Sequence, residues 1–229
     1  MMYRAGHLLL RPLTQLLWRP TVVGAEHVPM SGGVILASNH FSFIDSFVIP
    51  LTAPRKVRFL AKDAYWQGRG PLALARRGFM DAMGAIPVDR QSSRAAQDSL
   101  DAALEVLRAG DAFGIYPEGT RSRDGRLYRG RTGVAWLALT AGVPVVPVSL
   151  SGTAQVMPIG ATRPRVAPVT VRFGPPIDVA RRWAGVPQGR ARREVTDEVM
   201  DAIAALSGQE RAAAYNDLPA DAHGPAIGT

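Results

Sequence analysis

The sequence predicts an α/β domain built on a central mixed, largely parallel sheet flanked by helices. Short apolar segments rich in valine and isoleucine alternate along the chain with longer segments whose apolar residues recur at helical spacing. Proline, glycine or asparagine borders most of the short segments, as is typical of strands that run into loops. Regular alternation of the two kinds indicates strand–helix–strand units, and no internal repeat or interdomain linker interrupts it.

The bounds of each element follow from this pattern and from the proline and glycine residues at its ends. Proline at the first turn starts the helix at Pro71, and an apolar stripe that includes Leu104 and Leu107 stops at Gly110. We expect Pro50 to end the helix that begins at Ser42. The predicted strands cover residues 21–24, 34–38, 57–61, 85–88, 112–116, 145–150 and 169–173. The predicted helices cover residues 42–49, 71–83, 94–109, 132–141 and 190–206.

Composition narrows the function without naming it. The chain has 229 residues, of which 47% are hydrophobic and 20% charged, so it is globular rather than disordered. Its net charge of +8 favours an anionic partner: nucleic acid, an acidic membrane surface or a phosphate-bearing substrate. The absence of cysteine excludes disulfides, thiolate metal sites and a thiol nucleophile, and no group of residues has convincing metal-ligand spacing.

The chain divides into a core domain and two terminal segments. Residues 1–20 combine leucines and a tryptophan with arginines, which predicts an amphipathic membrane-associating helix; an ordinary helix packed on the domain is the alternative. No apolar run approaches the roughly 20 residues of a spanning helix. We assign residues 21–206 to the domain and expect residues 207–229, rich in alanine, glycine and proline, to be a flexible tail.

A histidine and an aspartate separated by four residues follow the second predicted strand. His40 precedes the predicted helix and Asp45 lies near its start, so the two side chains can meet. Histidine is the natural base for taking a proton from a hydroxyl at neutral pH, and an aspartate on its other ring nitrogen fixes the tautomer. A capping Asp45 beside a surface histidine is the structural alternative.

Two further polar clusters also follow predicted strands. Glu118 to Arg121 come after the strand that ends at Tyr116, where Gly119 permits a tight turn and Arg121 can hold a phosphate. Arg90 can also bind phosphate, or it can pair with its neighbour Asp89. A solvated basic loop is the alternative for the first cluster. Because sites in open α/β sheets lie at the carboxyl ends of strands, we expect one shared site.

Taken together, these residues resemble the 1-acylglycerol-3-phosphate acyltransferase family within the glycerolipid acyltransferases. Residues 39–45 read NHFSFID, residues 84–90 GAIPVDR, residues 117–121 PEGTR and residues 146–148 VPV, in the order of the four family motifs. The resemblance covers residues 21–176. The second motif departs from the pattern, because Pro87 and Val88 stand where many members have an aromatic residue and isoleucine.

The resemblance implies a glycerol-3-phosphate acyltransferase-like fold and a role for each motif residue. His40 is then the general base and Asp45 the residue that orients it. Arg121 then binds the phosphate of the acceptor, and Lys62, after the third strand, reaches the same phosphate. The full implied acceptor set is Lys62, Arg90, Glu118, Gly119, Thr120 and Arg121. An exposed lysine without a role is the alternative for Lys62, and the VPV motif is given no chemical role.

The activity that the resemblance implies is acyl transfer from acyl-CoA or acyl-carrier protein to lysophosphatidic acid, giving phosphatidic acid for phospholipid synthesis. We expect no metal or cofactor, and peripheral or monotopic attachment to the cytoplasmic face of the cell membrane. Another lysophospholipid or a glycolipid is the alternative acceptor. A basic nucleic-acid-binding protein is the alternative from another class, although the arginines are scattered and aromatic residues make up only 7%.

Overall fold

A seven-stranded mixed sheet forms the centre of the fold. The structure is a computed structural model that describes residue 12 and residues 14–89, 94–183 and 185–217. Within these residues the strand order is β1-β7-β6-β2-β5-β3-β4, and every neighbouring pair is parallel except β6 and β7. The strands are β1 (Thr21–Val23), β2 (Val34–Ser38), β3 (Val57–Lys62), β4 (Ala85–Val88), β5 (Ala112–Ile115), β6 (Val145–Ser151) and β7 (Thr170–Phe173).

Helices cover both faces of this sheet. They are α1 (Asp45–Thr52), α2 (Pro71–Ala82), α3 (Ala95–Arg108), α4 (Gly133–Ala141), α5 (Thr153–Val156), α6 (Val179–Arg182) and α7 (Gln188–Ser207). One core layer joins α3, α4 and α7 to residues such as Ile35 on one sheet face. The other joins α1 to residues such as Leu36, which points to the opposite face because side chains alternate along a strand. The predicted α/β architecture is confirmed.

Two predicted details of the first helix are wrong. The helix begins at Asp45 rather than Ser42, because residues 43 and 44 form a turn and the amides of Phe41 and Ser42 bind the Asp45 carboxylate. It also continues through Pro50 to Thr52, although proline lacks the N–H that would donate to the helix backbone. Pro50 itself is buried.

The terminal segments are described in part. Residues 14–18 are helical, and Trp18 packs against the core layer that contains α1, while most of the predicted amphipathic segment lies outside the described residues. In the part of the chain that the structure describes, none of the helices has the length and apolar character needed to cross a bilayer. Residues 208–217 of the expected tail are hydrogen bonded to the body of the domain, and residues 218–229 lie outside the described residues, so the flexible tail stays a prediction.

Gly114 in β5 is required by the close approach of an aromatic ring. A Cβ atom at this position would lie 1.9 Å from the Phe59 ring, far inside van der Waals contact. Phe59 in turn stacks on Tyr116, with ring centroids 5.5 Å apart. The glycine therefore sets the position of a ring stack that leads from the sheet core to the end of β5.

We predict that Gly114→Ala destabilises the domain by roughly 1–3 kcal/mol or more, because neither the strand nor the stacked ring has room to move. Gly78→Ala is the matched control, since Gly78 lies inside α2 with open space around the added methyl group. The control should stabilise the domain by up to ~1 kcal/mol. Denaturant unfolding of both variants measures the difference, and equal stabilities would contradict the packing described.

Candidate active site

The candidate site lies where the connections of two neighbouring strands diverge. Strands β2 and β5 are adjacent and parallel, so their carboxyl ends meet at one edge of the sheet. The chain leaves β2 toward α1 on one face and leaves β5 toward α4 on the other. Such a switch point opens a crevice that binds ligands in open α/β sheets. His40 follows β2 and Glu118 follows β5, so the predicted convergence of these two clusters is confirmed.

His40 and Asp45 form a hydrogen-bonded pair at this edge. The ring Nδ1 lies 2.8 Å from Asp45 Oδ2, which also accepts hydrogen bonds from the amides of Phe41 at 2.7 Å and Ser42 at 2.8 Å. Because Asp45 Oδ2 already accepts from two amides, we assign Nδ1 as the donor of this bond, which in a neutral ring leaves the lone pair on Nε2. Asp45 is fully buried, whereas the His40 side chain is 16% exposed. The pair therefore offers a base at the mouth of the crevice.

The His40 ring is also held from the side by Tyr116. The two rings are stacked with centroids 3.8 Å apart and planes within 9°, and the Tyr116 hydroxyl lies 2.9 Å from Ser46 Oγ. Burial and the nearby Asp45 carboxylate raise the pKa of Tyr116 well above its usual value. Tyr116 thus remains a neutral phenol, and the imidazole can neither tilt nor rotate without breaking this stack.

Glu118 faces inward, toward backbone amides rather than solvent. One carboxylate oxygen accepts from the His40 amide at 3.3 Å and the other from the Tyr128 amide at 2.9 Å. The residue is fully buried, and burial raises its pKa to about 7 even though the two amides favour the charged form. This geometry ties the His40 backbone to the loop after β5, and the part of Glu118 in the acceptor site stays a prediction.

The rest of that loop is shaped by backbone hydrogen bonds. Gly119 adopts a φ of 79°, and its amide closes a turn on the Tyr116 carbonyl. The Ser122 amide donates to the His40 carbonyl at 2.7 Å, which brings Arg121 next to the histidine segment. Thr120 is half-buried between them. The loop residues predicted from sequence therefore lie beside the His40 segment at the same edge of the sheet.

The arginines of this loop differ in how they are paired. Arg126 forms an ion pair with Asp124, and Arg131 forms one with Asp217. The Arg121 guanidinium makes no hydrogen bond or ion pair with any other described residue, and its side chain is half-exposed. Arg121 is therefore the loop cation best placed to receive an anion from outside the chain.

Of the two remaining predicted residues, only Lys62 belongs to the part of the chain that the structure describes. Lys62 is exposed at the carboxyl end of β3, which is parallel to β5, so it lies at the same edge as His40. Arg90 lies outside the described residues, directly after Asp89 and the end of β4. Lys62 thus lies at the same edge of the sheet as His40. The phosphate-binding role of Arg90 stays a prediction.

Sequence reasoning missed two supports of the site. The buried Asn39 amide bonds both the nitrogen and the oxygen of Leu150, which joins the His40 segment to β6, and it also bonds Gln209. Residues 209–217 run beside the loop after β5, where Asn216 donates to the Arg121 carbonyl at 3.1 Å. A polar residue directly after a buried strand was the available signal for Asn39. The composition of residues 209–217 gave no signal that they pack beside the loop after β5.

No group of acidic or histidine side chains suited to a metal ion occurs among the residues that the structure describes. The site combines the His40 imidazole, the buried carboxylates of Asp45 and Glu118, and nearby cations. This set can remove a proton from a hydroxyl while holding an anionic group at a distance from it.

Comparison with known proteins identifies the family. A family model described as Acyltransferase matches residues 19–151, more than half of the chain and the whole of the crevice just described. The chain belongs to this acyltransferase family. The resemblance drawn from the four motifs is thereby confirmed.

Named relatives of this acyltransferase domain agree with that assignment. It is 34% identical over 146 residues to the chloroplastic 1-acyl-sn-glycerol-3-phosphate acyltransferase BAT2 of Brassica napus, covering 63% of this chain and 40% of the relative. It is 33% identical over 136 residues to a 1-acyl-sn-glycerol-3-phosphate acyltransferase of Borreliella burgdorferi, covering 58% of this chain and 51% of the relative. The alignments thus span two fifths to about half of these relatives.

A solved structure shares the fold. The 1-acyl-sn-glycerophosphate (LPA) acyltransferase PlsC from Thermotoga maritima superimposes with a TM-score of 0.67 at 26% sequence identity. The match covers 90% of this acyltransferase-family chain and 78% of the Thermotoga chain. The predicted central sheet flanked by helices is therefore shared with a solved 1-acyl-sn-glycerophosphate acyltransferase.

The raised pKa of Glu118 predicts a pH dependence of stability. Between pH 4.5, where an unperturbed glutamate titrates, and about pH 7, the folded state holds a proton that the unfolded state releases. The Glu118 contribution to the free energy of unfolding is therefore fully present below pH 4.5 and is lost as pH rises to 7, by roughly 3 kcal/mol at most.

Glu118→Gln cannot titrate, so the difference in unfolding free energy between the parent chain and this variant should narrow across that pH range. The variant should also be less stable at every pH, because its amide nitrogen faces a backbone N–H that loses its acceptor. Denaturant titrations at several pH values measure the difference. A difference in unfolding free energy that stays constant with pH would show that the pKa of Glu118 is not raised in the folded state.

Proposed function

We propose that this protein is an O-acyltransferase that moves a fatty acyl group from a thioester to the free hydroxyl of lysophosphatidic acid. The observation that carries the proposal is the His40–Asp45 pair, whose Nε2 is directed away from Asp45 at a crevice bordered by an unpaired arginine. The names of the relatives support the acceptor, since they are 1-acyl-sn-glycerol-3-phosphate acyltransferases. The product is then phosphatidic acid, a phospholipid precursor.

The neighbouring hydroxyl side chains favour an external nucleophile. Ser38 donates to the Asn39 carbonyl, Ser42 to the Met157 carbonyl and Ser122 to the Arg126 carbonyl. These hydroxyls are therefore engaged away from the imidazole, and the chain has no cysteine. The site thus has the histidine and aspartate of a nucleophilic triad, while the acceptor supplies the hydroxyl.

The reaction then proceeds by general acid–base catalysis. His40 Nε2 takes the proton of the acceptor hydroxyl as its oxygen attacks the thioester carbonyl, and Asp45 stabilises the imidazolium that forms. Collapse of the tetrahedral intermediate breaks the carbon–sulfur bond. The imidazolium returns its proton to the departing thiolate, so the products are an ester and a free thiol. The chain's own groups account for each proton transfer.

Acceptor recognition is assigned to the cations at the same edge. Arg121 binds the phosphate by charge-assisted hydrogen bonds, Lys62 approaches it from the neighbouring strand, and Arg90 assists. Gly119 and Thr120 shape the loop around it, and Glu118 holds that loop to the His40 backbone. The acceptor lies in a membrane, and the donor is acyl-CoA or acyl-carrier protein.

The direct test is thiol release from palmitoyl-CoA by the purified chain, with and without lysophosphatidic acid. We expect release that depends on the acceptor, together with formation of phosphatidic acid. Parallel reactions with palmitoyl-acyl-carrier protein and with other lysophospholipids identify the donor and the acceptor. Equal thiol release with and without every acceptor would refute the transferase assignment.

His40→Ala should lower the turnover number by roughly 10²–10⁴-fold, because it removes the base without a substitute. The fold should be kept, since the ring lies at the crevice mouth and not in either core layer. His27→Ala is the control, because this histidine lies outside the four motifs and bonds the Phe173 carbonyl. Turnover is measured by thiol release, and an active His40→Ala enzyme would rule out the assigned base.

Arg121→Ala should raise the acceptor KM about 10–100-fold and leave the donor KM unchanged, since a charged hydrogen bond contributes about 1.5–3 kcal/mol. Arg121→Lys keeps the charge but loses bidentate geometry, so an intermediate KM is expected. Arg181→Ala is the matched control, because Arg181 is exposed on α6. Steady-state kinetics with both substrates varied provide the test, and an unchanged acceptor KM would exclude the phosphate role.

A further inference from the structure

The first turn of α2 presents apolar side chains to solvent on more than one side. Residues 71–75, here called the α2 tip, read PLALA, and Leu72 and Leu74 are 82% and 69% exposed. Two residues apart on an α-helix are separated by roughly 200° around its axis. Both leucines are nevertheless exposed, so the α2 tip is not an ordinary amphipathic surface with one face on the core. Two leucines exposed in this way indicate an interaction surface.

The α2 tip lies at the same edge of the sheet as His40. The chain leaves β3 at its carboxyl end, passes a 3-10 turn at Asp63–Trp66, and returns along α2 to the start of β4. The 12-residue helix is about 18 Å long, whereas the four-residue strand β4 spans about 13 Å. The helix therefore begins at the carboxyl edge of the sheet.

Aromatic side chains connect α2 to the segment that carries His40. Phe79 on α2 contacts Phe47 on α1 with ring centroids 5.2 Å apart, and Phe47 contacts Phe43 at 5.0 Å. Phe43 also faces Tyr65 at 6.1 Å and is 36% exposed. Because Phe43 is three residues from His40, an apolar surface runs from α2 to the mouth of the crevice.

Positive charge flanks the α2 tip on both sides in the sequence. Arg69 precedes it and is exposed, while Arg76 and Arg77 follow it. The Arg76 and Arg77 guanidiniums donate to the backbone carbonyls of residues 65–67, which are neutral and leave the cations uncompensated. The nearby acids Asp63 and Asp81 bond Gln67 and Trp66 instead. An apolar turn bordered by such arginines matches an anionic lipid surface.

We infer that the α2 tip docks this protein on an anionic bilayer. Leu72 and Leu74 enter the acyl region, while Arg69, Arg76 and Arg77 remain at the level of the lipid phosphates. The aromatic side chains then lie between the bilayer and His40, along the direction from which a lysolipid reaches the crevice. Only the statement about the approach of the lysolipid rests on the proposed function; docking on the bilayer does not.

The basic surface of α7 and Arg182 fits this role less well. Arg190 and Arg193 on α7 form ion pairs with Glu194 and Asp197 of the same helix, and Arg182 pairs with Glu198. Their charge is therefore largely compensated within the domain. The exposed Met30 lies in the loop before β2, at the opposite edge of the sheet from His40. It provides a control position with an equally exposed apolar side chain.

The absence of cysteine allows a probe to be placed at one chosen site. Leu72→Cys and Met30→Cys are each labelled with an environment-sensitive fluorophore and mixed with phosphatidylglycerol–phosphatidylcholine vesicles. We expect the probe at residue 72 to shift to the blue and the probe at residue 30 to remain unchanged. Vesicles of phosphatidylcholine alone should give a much weaker response, because the arginines then lack anionic partners.

Three outcomes would overturn the docking assignment. The probe at residue 72 could stay in water while the chain sediments with vesicles, both probes could respond equally, or the probe at residue 72 could be shielded before vesicles are added. The last result would mean that another part of the chain, such as residues 1–11, covers the α2 tip. A shift confined to residue 72 and dependent on vesicles supports the assignment.

A charge-insertion variant separates docking from catalysis. The double variant Leu72→Glu, Leu74→Glu should weaken vesicle binding at least about tenfold, whereas Met30→Glu should not. Both should acylate a short-chain, monomeric lysophosphatidic acid at the parental rate. Unchanged vesicle binding by the double variant would refute the docking role. Vesicle insertion by a chain that transfers no acyl group to any acceptor would refute the proposed function alone.

Discussion

Three donors converge on a single oxygen of the buried Asp45 carboxylate: the His40 ring and the amides of Phe41 and Ser42. A buried charge is tolerated only when hydrogen bonds replace its lost hydration, and here those bonds also define the site. They fold residues 40–45 into a tight turn, fix which ring nitrogen carries the proton, and start α1. The Asp45 carboxylate does not cap α1, because it bonds groups that precede the helix and not the amides of its first turn.

The surrounding structure limits the movement of that turn. Tyr116 stacks on the imidazole, Glu118 receives the His40 amide, and the His40 carbonyl accepts from Ser122. These three contacts join the segment after β2 to the loop after β5. They therefore hold the base and the Arg121 loop in one fixed arrangement. A site that must position a hydroxyl, a thioester and a phosphate benefits from such preorganisation, because little reorganisation is left for the reaction itself.

Sequence patterns predicted the elements and the crevice because both depend on local rules. Strand ends, the turn at Gly119 and the placement of His40 follow from periodicity, turn residues and the geometry of parallel sheets. The Tyr116 stack and the Asn39 contact with Leu150 were missed, since they join residues far apart in sequence. Composition alone could not show that residues 208–217 have backbone partners in the domain, as the Ala212 amide does in the Leu127 carbonyl.

The central claim concerns one proton on His40, and nitrogen-15 NMR of the histidine side chains measures it directly. The chain has only four histidines, so a His40 variant assigns the signal. The account predicts a neutral His40 ring with the proton on Nδ1 and an unprotonated Nε2 facing the crevice. A neutral ring with the proton on Nε2 would contradict it, because that nitrogen could not then accept a proton from the acceptor hydroxyl.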